Sequence, residues 1–152
     1  MTRLLLPFTH GIDASAITTA LSLAQRFNAT LIPLSLIHLP KVPGKSSRWE
    51  DIQQSQDFLE FVYHKAAKAG VPVERVQLYT HNPVSSIRAL AQEMECIGIV
   101  LAVRRGAGVL LATNEVKLLL EEKRLPLYLV SLNSKSNGFC LPCWLSRWFT
   151  KR

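Results

Sequence analysis

The chain has 152 residues, of which 48% are hydrophobic and 19% charged, with a formal net charge of +7. That length suits one domain with a substantial core, and that hydrophobicity excludes a disordered chain. No apolar run reaches the roughly 18 residues of a membrane-spanning helix, and three cysteines do not make a disulfide framework. Residues 133–152 hold Lys135, Arg147, Lys151 and Arg152 and no acid, so this tail carries four of the seven net charges. The remainder is only mildly basic, and no nucleic-acid partner is expected. The opening Met1-Thr2-Arg3-Leu4-Leu5-Leu6-Pro7 reads as a strand rather than a signal peptide. A reducing cytoplasm is the expected location.

Residues 3–8 form the first predicted strand. A turn over residues 9–13 leads to a helix that Asp13 caps and that runs to about Phe27, with Ile17, Leu21, Ala24 and Phe27 at helical spacing. Asn28 suits the end of that helix, and residues 30–38 form the second strand. Residues 40–50 break the periodicity with Pro, Gly, Ser and basic residues and read as a loop. A helix over about 50–69 ends at Gly70, and Phe58, Phe61, Val62, Lys65 and Ala69 mark its inward stripe, with the Lys65 stem at the margin. Residues 75–80 are the third strand. Asn82-Pro83 then opens a helix, with an N-cap followed by proline at the first helical position, and Ile87, Leu90, Ala91 and Met94 form its buried face.

The stretch from 97 to 130 organises the rest. Residues 97–103 are an apolar, β-branched run, as in a strand covered on both faces. Arg104-Arg105-Gly106-Ala107-Gly108 reads as a loop, residues 113–123 as a helix and residues 127–130 as the fifth strand. The expected fold is α/β: a doubly wound, five-stranded parallel sheet in the order 3-2-1-4-5, with two helices on each face. Residues 1–132 form this domain, and residues 133–152 form a linker and a basic-aromatic tail. Ligands of such sheets sit at the carboxyl edge, where the loop after the fourth strand lies.

Five local phrases in this order resemble the universal stress protein family, of the UspA type. They are Leu4-Leu5-Leu6-Pro7-Phe8, residues 24–31, Ala67-Lys68-Ala69-Gly70-Val71, Asn82-Pro83-Val84-Ser85-Ser86-Ile87 and Leu125-Pro126-Leu127-Tyr128-Leu129-Val130. The resemblance covers residues 3–132. It implies a regulatory domain without catalysis, paired as a homodimer through Leu127 to Leu132, with ATP or another adenine nucleotide as the candidate ligand. The chain departs from the nucleotide-binding members at two places. Thr9 stands where their first strand ends in aspartate. Ala102, Arg105, Thr113 and Asn114 stand where their loop has G-x-x-G and a later G-S/T, and the loop is about two residues shorter. Glycines there let backbone amides approach phosphate.

The candidate ligand-binding residues are therefore Thr9, Arg104, Arg105, Gly106, Gly108, Thr113 and Asn114. Arg104 and Arg105 either grip a phosphate through charge-assisted contacts or form a solvated basic loop. Thr113 and Asn114 read first as helix caps. No catalytic or metal-ligating residues are assigned. A nucleotide-hydrolysing enzyme on the same framework needs acids for Mg²⁺ at the ligand edge, and the two available, Asp13 and Glu115, read as helix-start residues. His10, His38 and His81 fall at the ends of strands one to three without carboxylate or cysteine at ligand spacing. Cys140 and Cys143 form a CxxC in the tail, read as two reduced thiols, a shared metal site or a redox pair.

The tail proper, residues 139–152, opens on Phe139 and closes on Arg152. Drawn as a helix from Pro142, it sets Trp144, Leu145, Trp148 and Phe149 opposite Ser146, Arg147, Thr150 and Lys151. That pattern suits a membrane surface, which would make the protein peripheral there, or a protein partner's groove. Docking on its own body or dimer mate is the alternative.

Overall fold

In a computed structural model, residues 2–40 and 48–132 are described. The elements run β1 (Arg3–Phe8), α1 (Ala14–Phe27), β2 (Thr30–His38), α2 (Trp49–Ala69), β3 (Val76–Thr80), α3 (Pro83–Glu93), β4 (Gly98–Arg104), β5 (Ala107–Val109), α4 (Thr113–Leu120) and β6 (Leu127–Leu132). The tail of residues 133–152, with its CxxC and its aromatic face, lies outside the described residues.

The caps that the sequence implies are in place. Asp13 accepts from the Ala16 amide at the start of α1, and Asn82 accepts from Ser85 at the start of α3, with Pro83 as its first helical residue. Asn28 and Gly70 close α1 and α2 in the left-handed conformation, at φ 52° and 72°.

Five strands are mutually parallel in the order β3-β2-β1-β4-β6, which is the expected topology with β6 as the fifth strand. α1 and α2 cover one face through Leu4, Leu6, Phe8, Phe58 and Val62. α3 and α4 cover the other through Leu5, Ile32, Leu34, Ile87 and Leu119. Phe8 stacks flat on Phe58 at 4.1 Å between centroids, fixing α2 to the sheet centre. On the same face, the buried hydroxyls of Ser35 and Ser55 bond each other at 2.5 Å, and Gln77 donates to Ser55 at 2.9 Å.

Two prolines inside central strands set where the ladders stop. The Arg3 carbonyl accepts from the Ile97 amide at 2.7 Å, so Arg3, Leu5, Pro7 and Thr9 address the β4 side of β1. Pro7 has no N–H to give there. The β1–β4 ladder accordingly holds only Leu4↔Gly98 and Leu5↔Ile99. Pro33 acts alike on the β3 side of β2, between the isolated bridge Leu31↔Val73 and the ladder that starts at Leu34↔Val76.

The loop expected at residues 104–108 is instead a hairpin. β5 folds back antiparallel on β4, with Ala102↔Val109, Val103↔Gly108 and Arg104↔Ala107 in register, and makes a sixth strand. α4 is shorter than expected, ending at Leu120 rather than at 123. The inward stripe of α2 is Ser55, Phe58, Val62 and Ala66, while Lys65 is exposed. Ala66 is buried in that stripe, and the Lys65 ammonium sits 5.8 Å from the centroid of the Phe61 ring.

Candidate functional site

The sheet order reverses between β1 and β4, and a crevice opens beyond their carboxyl ends. Pro7 widens it by ending the ladder early. The β5 hairpin fills it. Arg105 and Gly106 form the two-residue turn, at φ 55° and 80°, the pair of positive angles that a type I′ hairpin demands. Glycine meets that demand without cost, whereas Arg105 sacrifices about 1 kcal/mol to it.

The descending arm is clamped at Gly108 and Leu110. A Cβ on Gly108 would sit 2.5 Å from the Leu111 carbonyl oxygen, so only glycine fits. Its amide donates to Thr113 Oγ1 at 2.9 Å. Leu110 is buried and also left-handed, at φ 73°, a strained state for a bulky residue. Its carbonyl thereby accepts from the amides of both Thr9, at 2.8 Å, and His10, at 3.3 Å. The hairpin thus takes up the donors that end β1.

Two carboxylates complete the closure. Glu115, third residue of α4, accepts on Oε1 from the Ala112 amide at 2.9 Å and from the Thr9 hydroxyl at 3.0 Å. It satisfies the helix start and ties it to β1. Asp13 accepts from Arg104, Nη1 to Oδ2 at 2.6 Å and Nη2 to Oδ1 at 3.4 Å, while its Oδ1 also caps α1 through Ala16 at 3.0 Å. Partial burial pushes the Asp13 carboxyl up, but the Arg104 guanidinium and the Ala16 and Ser15 amides outweigh it and hold it below the usual carboxylate range. The same hydrogen bond raises the Arg104 pKa.

Of the residues expected at the ligand edge, Thr9, Arg104, Gly108 and Thr113 line the crevice. Arg105 and Gly106 are exposed at the hairpin tip, and Asn114 is exposed on the first turn of α4. Neither Thr113 nor Asn114 caps α4: the N-cap position is Ala112, with no side-chain bond, and the carboxylate of Glu115 does the work from within. Thr113 bonds Gly108 instead. Ala102 is buried in the ladder, paired with both Val109 and Val130. Asp13, Glu115 and Leu110 are the residues that close the crevice, and the first two signalled themselves only as helix-start acids. His10, His38 and His81 do lie along the carboxyl edge, all exposed. Among the described residues no three His, Cys, Asp or Glu side chains gather as metal ligands, and no helix is long and apolar enough to cross a membrane.

A model of the Universal stress protein family matches residues 1–119. The chain belongs to the universal stress protein family. Solved structures of this family share its fold. One, from Burkholderia pseudomallei, is 19% identical, with a TM-score of 0.67 over 85% of this chain and 95% of its own. A universal stress protein from Archaeoglobus fulgidus in complex with dAMP is 16% identical, with a TM-score of 0.65 over 85% of this chain and 97% of its own. A family protein from Arabidopsis thaliana with AMP bound is 15% identical, with a TM-score of 0.60 over 90% of this chain and 97% of its own. No curated protein sequence matches the chain. In this universal stress protein the β5 hairpin lies between the carboxyl ends of β1 and β4.

Proposed function

We propose that the chain is a non-catalytic regulatory domain of the cytoplasmic stress response, whose ligand is an adenine nucleotide or another phosphate-bearing molecule held weakly. The observation that carries this reading is the Arg104–Asp13 pair at the crevice mouth, with N···O distances of 2.6 and 3.4 Å. Arg104 supplies the phosphate-seeking charge. Asp13 already engages it, so an anion binds only by competing with that carboxylate. The dAMP and AMP complexes of structural relatives support adenine nucleotides as the first class to try. The engagement of Asp13 and Glu115 by Arg104, Ala16, Ala112 and Thr9 argues against hydrolysis, because these acids are not poised for Mg²⁺.

The test is a thermal-shift titration with ATP, ADP, AMP and cyclic dinucleotides, with and without Mg²⁺. The reading expects a shift only at high ligand concentration, and its loss in Arg104→Ala. A ligand at 100 times its Kd adds roughly 2.7 kcal/mol of apparent stability, so even a weak site registers. No shift with any of them contradicts the reading.

Pairing of two copies through β6 is part of the same proposal. Among the described residues β6 pairs only with β4, which leaves its outer edge open to a second strand. Size-exclusion chromatography with light scattering tests it, and a monomer at every concentration rejects it.

A further inference from the structure

Trp49, the first residue of α2, is 70% exposed, and Ile12 in the turn after β1 is 38% exposed. They flank a shallow groove of about 340 Å³, also lined by Glu50, Gln53, Gln54 and Asp57. The two elements are fixed to each other there, since the Gly11 amide donates to Gln54 Oε1 at 2.6 Å. Trp49 and Ile12 together give the groove an apolar rim.

We propose that the chain's own tail covers it: the aromatic residues of segment 139–152 dock on Ile12 and Trp49, and its cations meet Glu50 and Asp57. Three observations lead there. First, the strands of a parallel sheet end at one edge. Leu132, the last residue of β6, pairs with Arg104 at the carboxyl edge that also carries Ile12. Second, the reach suffices. At that edge β5 stands between β4 and β1, so the path from β6 to β1 is three strand spacings, about 15 Å. Residues 133–138 span up to roughly 20 Å, so Phe139 and the residues after it arrive at the groove. Third, the chemistry is complementary. The tail has Phe139, Trp144, Leu145, Trp148 and Phe149 with Lys135, Arg147, Lys151 and Arg152 and no acid. The groove offers an apolar rim beside exposed carboxylates: Glu50 lies 3.9 Å from the exposed Arg48, and Asp57 accepts from the neutral Gln53 at 3.0 Å.

The experiment uses the full chain with Trp144→Phe and Trp148→Phe, which leaves Trp49 as the sole tryptophan and keeps the tail aromatic. Its emission maximum and acrylamide quenching are compared with those after adding Leu145→Asp and Phe149→Asp. Circular dichroism melts verify the fold of each protein. The expected result is a blue-shifted, quencher-protected Trp49 in the first protein and a severalfold faster quenching in the second. Glu50→Lys with Asp57→Lys, in the first background, should also expose it. Equal exposure in all three overturns the proposal. Protection that fades on dilution overturns it too, in favour of a second copy's tail. So does a Trp49 that is open while the wild-type tail's tryptophans enter phosphatidylglycerol vesicles, which assigns the tail to a membrane surface.

Discussion

Arg104 and Asp13, 91 residues apart in sequence, meet in a two-pronged ion pair across the mouth of the crevice. Their side chains are 29% and 21% exposed, so water weakens the pair less than it would on an open surface. The same carboxylate caps α1. One acid thus fixes both the start of a helix and the base of the hairpin that fills the site.

Asp13→Asn separates these two jobs, because Asn caps a helix as well as Asp but carries no charge. Near neutral pH the variant should lose about 1–2 kcal/mol, the worth of hydrogen bonds between charged groups at a half-open site. The folded-state pKa of Asp13 is depressed, so the pair's contribution is present above the ordinary carboxylate range and disappears as pH falls through the lowered folded value. Urea denaturation at several pH values should show wild type and variant converging in acid. A gap that is constant with pH contradicts the assignment.

Glu115→Ala removes the acceptor of two donors at once, the Ala112 amide and the Thr9 hydroxyl. A loss of about 1–2 kcal/mol is expected. Hydrogen exchange should quicken most at Ala112. Unchanged exchange there would show that the carboxylate does not hold the helix start.

The serine pair predicts an asymmetry. Ser55 is bonded to both Ser35 and Gln77, whereas Ser35, fully buried, bonds Ser55. Ser55→Ala strands the Ser35 hydroxyl and should cost about 1–3 kcal/mol. Ser35→Ala leaves Ser55 with Gln77 and should cost less. Chemical denaturation of both variants decides it, and the reverse ranking sinks the network as drawn.

Gly98 lies under the Tyr128 ring, and an added Cβ would collide with Cε2 and Cδ2 of that ring. Gly98→Ala should destabilise by about 1–3 kcal/mol, the usual range for overpacking. Because Tyr128 also packs on Phe27 at 5.4 Å, it has little room to yield. Tyr128→Ala should make the glycine replaceable at little further cost, which a double-mutant cycle measures.

Most of the framework was legible because it is local. Asp13, Asn28, Gly70 and Asn82-Pro83 mark helix ends by their own chemistry, and the apolar runs give the strands. The hairpin carried a signal that the loop reading passed over: Arg105-Gly106 between Val103 and Val109 is a two-residue turn flanked by alternating residues. The left-handed Leu110 carried none, since leucine has no local preference for positive φ and the demand comes from β1. The Arg104–Asp13 and Thr9–Glu115 contacts were equally hidden, because each joins residues more than ninety positions apart. Asp13 and Glu115 were visible as caps, and only the fold discloses that they also shut the crevice.

The most direct test of a self-closed site is the affinity for AMP of the wild-type protein and of Asp13→Asn, measured by calorimetry under identical salt. Removing the internal competitor for Arg104 should tighten binding by about tenfold, or 1.4 kcal/mol, with Arg104→Ala abolishing it in either background. Equal or weaker binding by Asp13→Asn would mean that Asp13 does not compete with the ligand, and the crevice is not held shut in the way described.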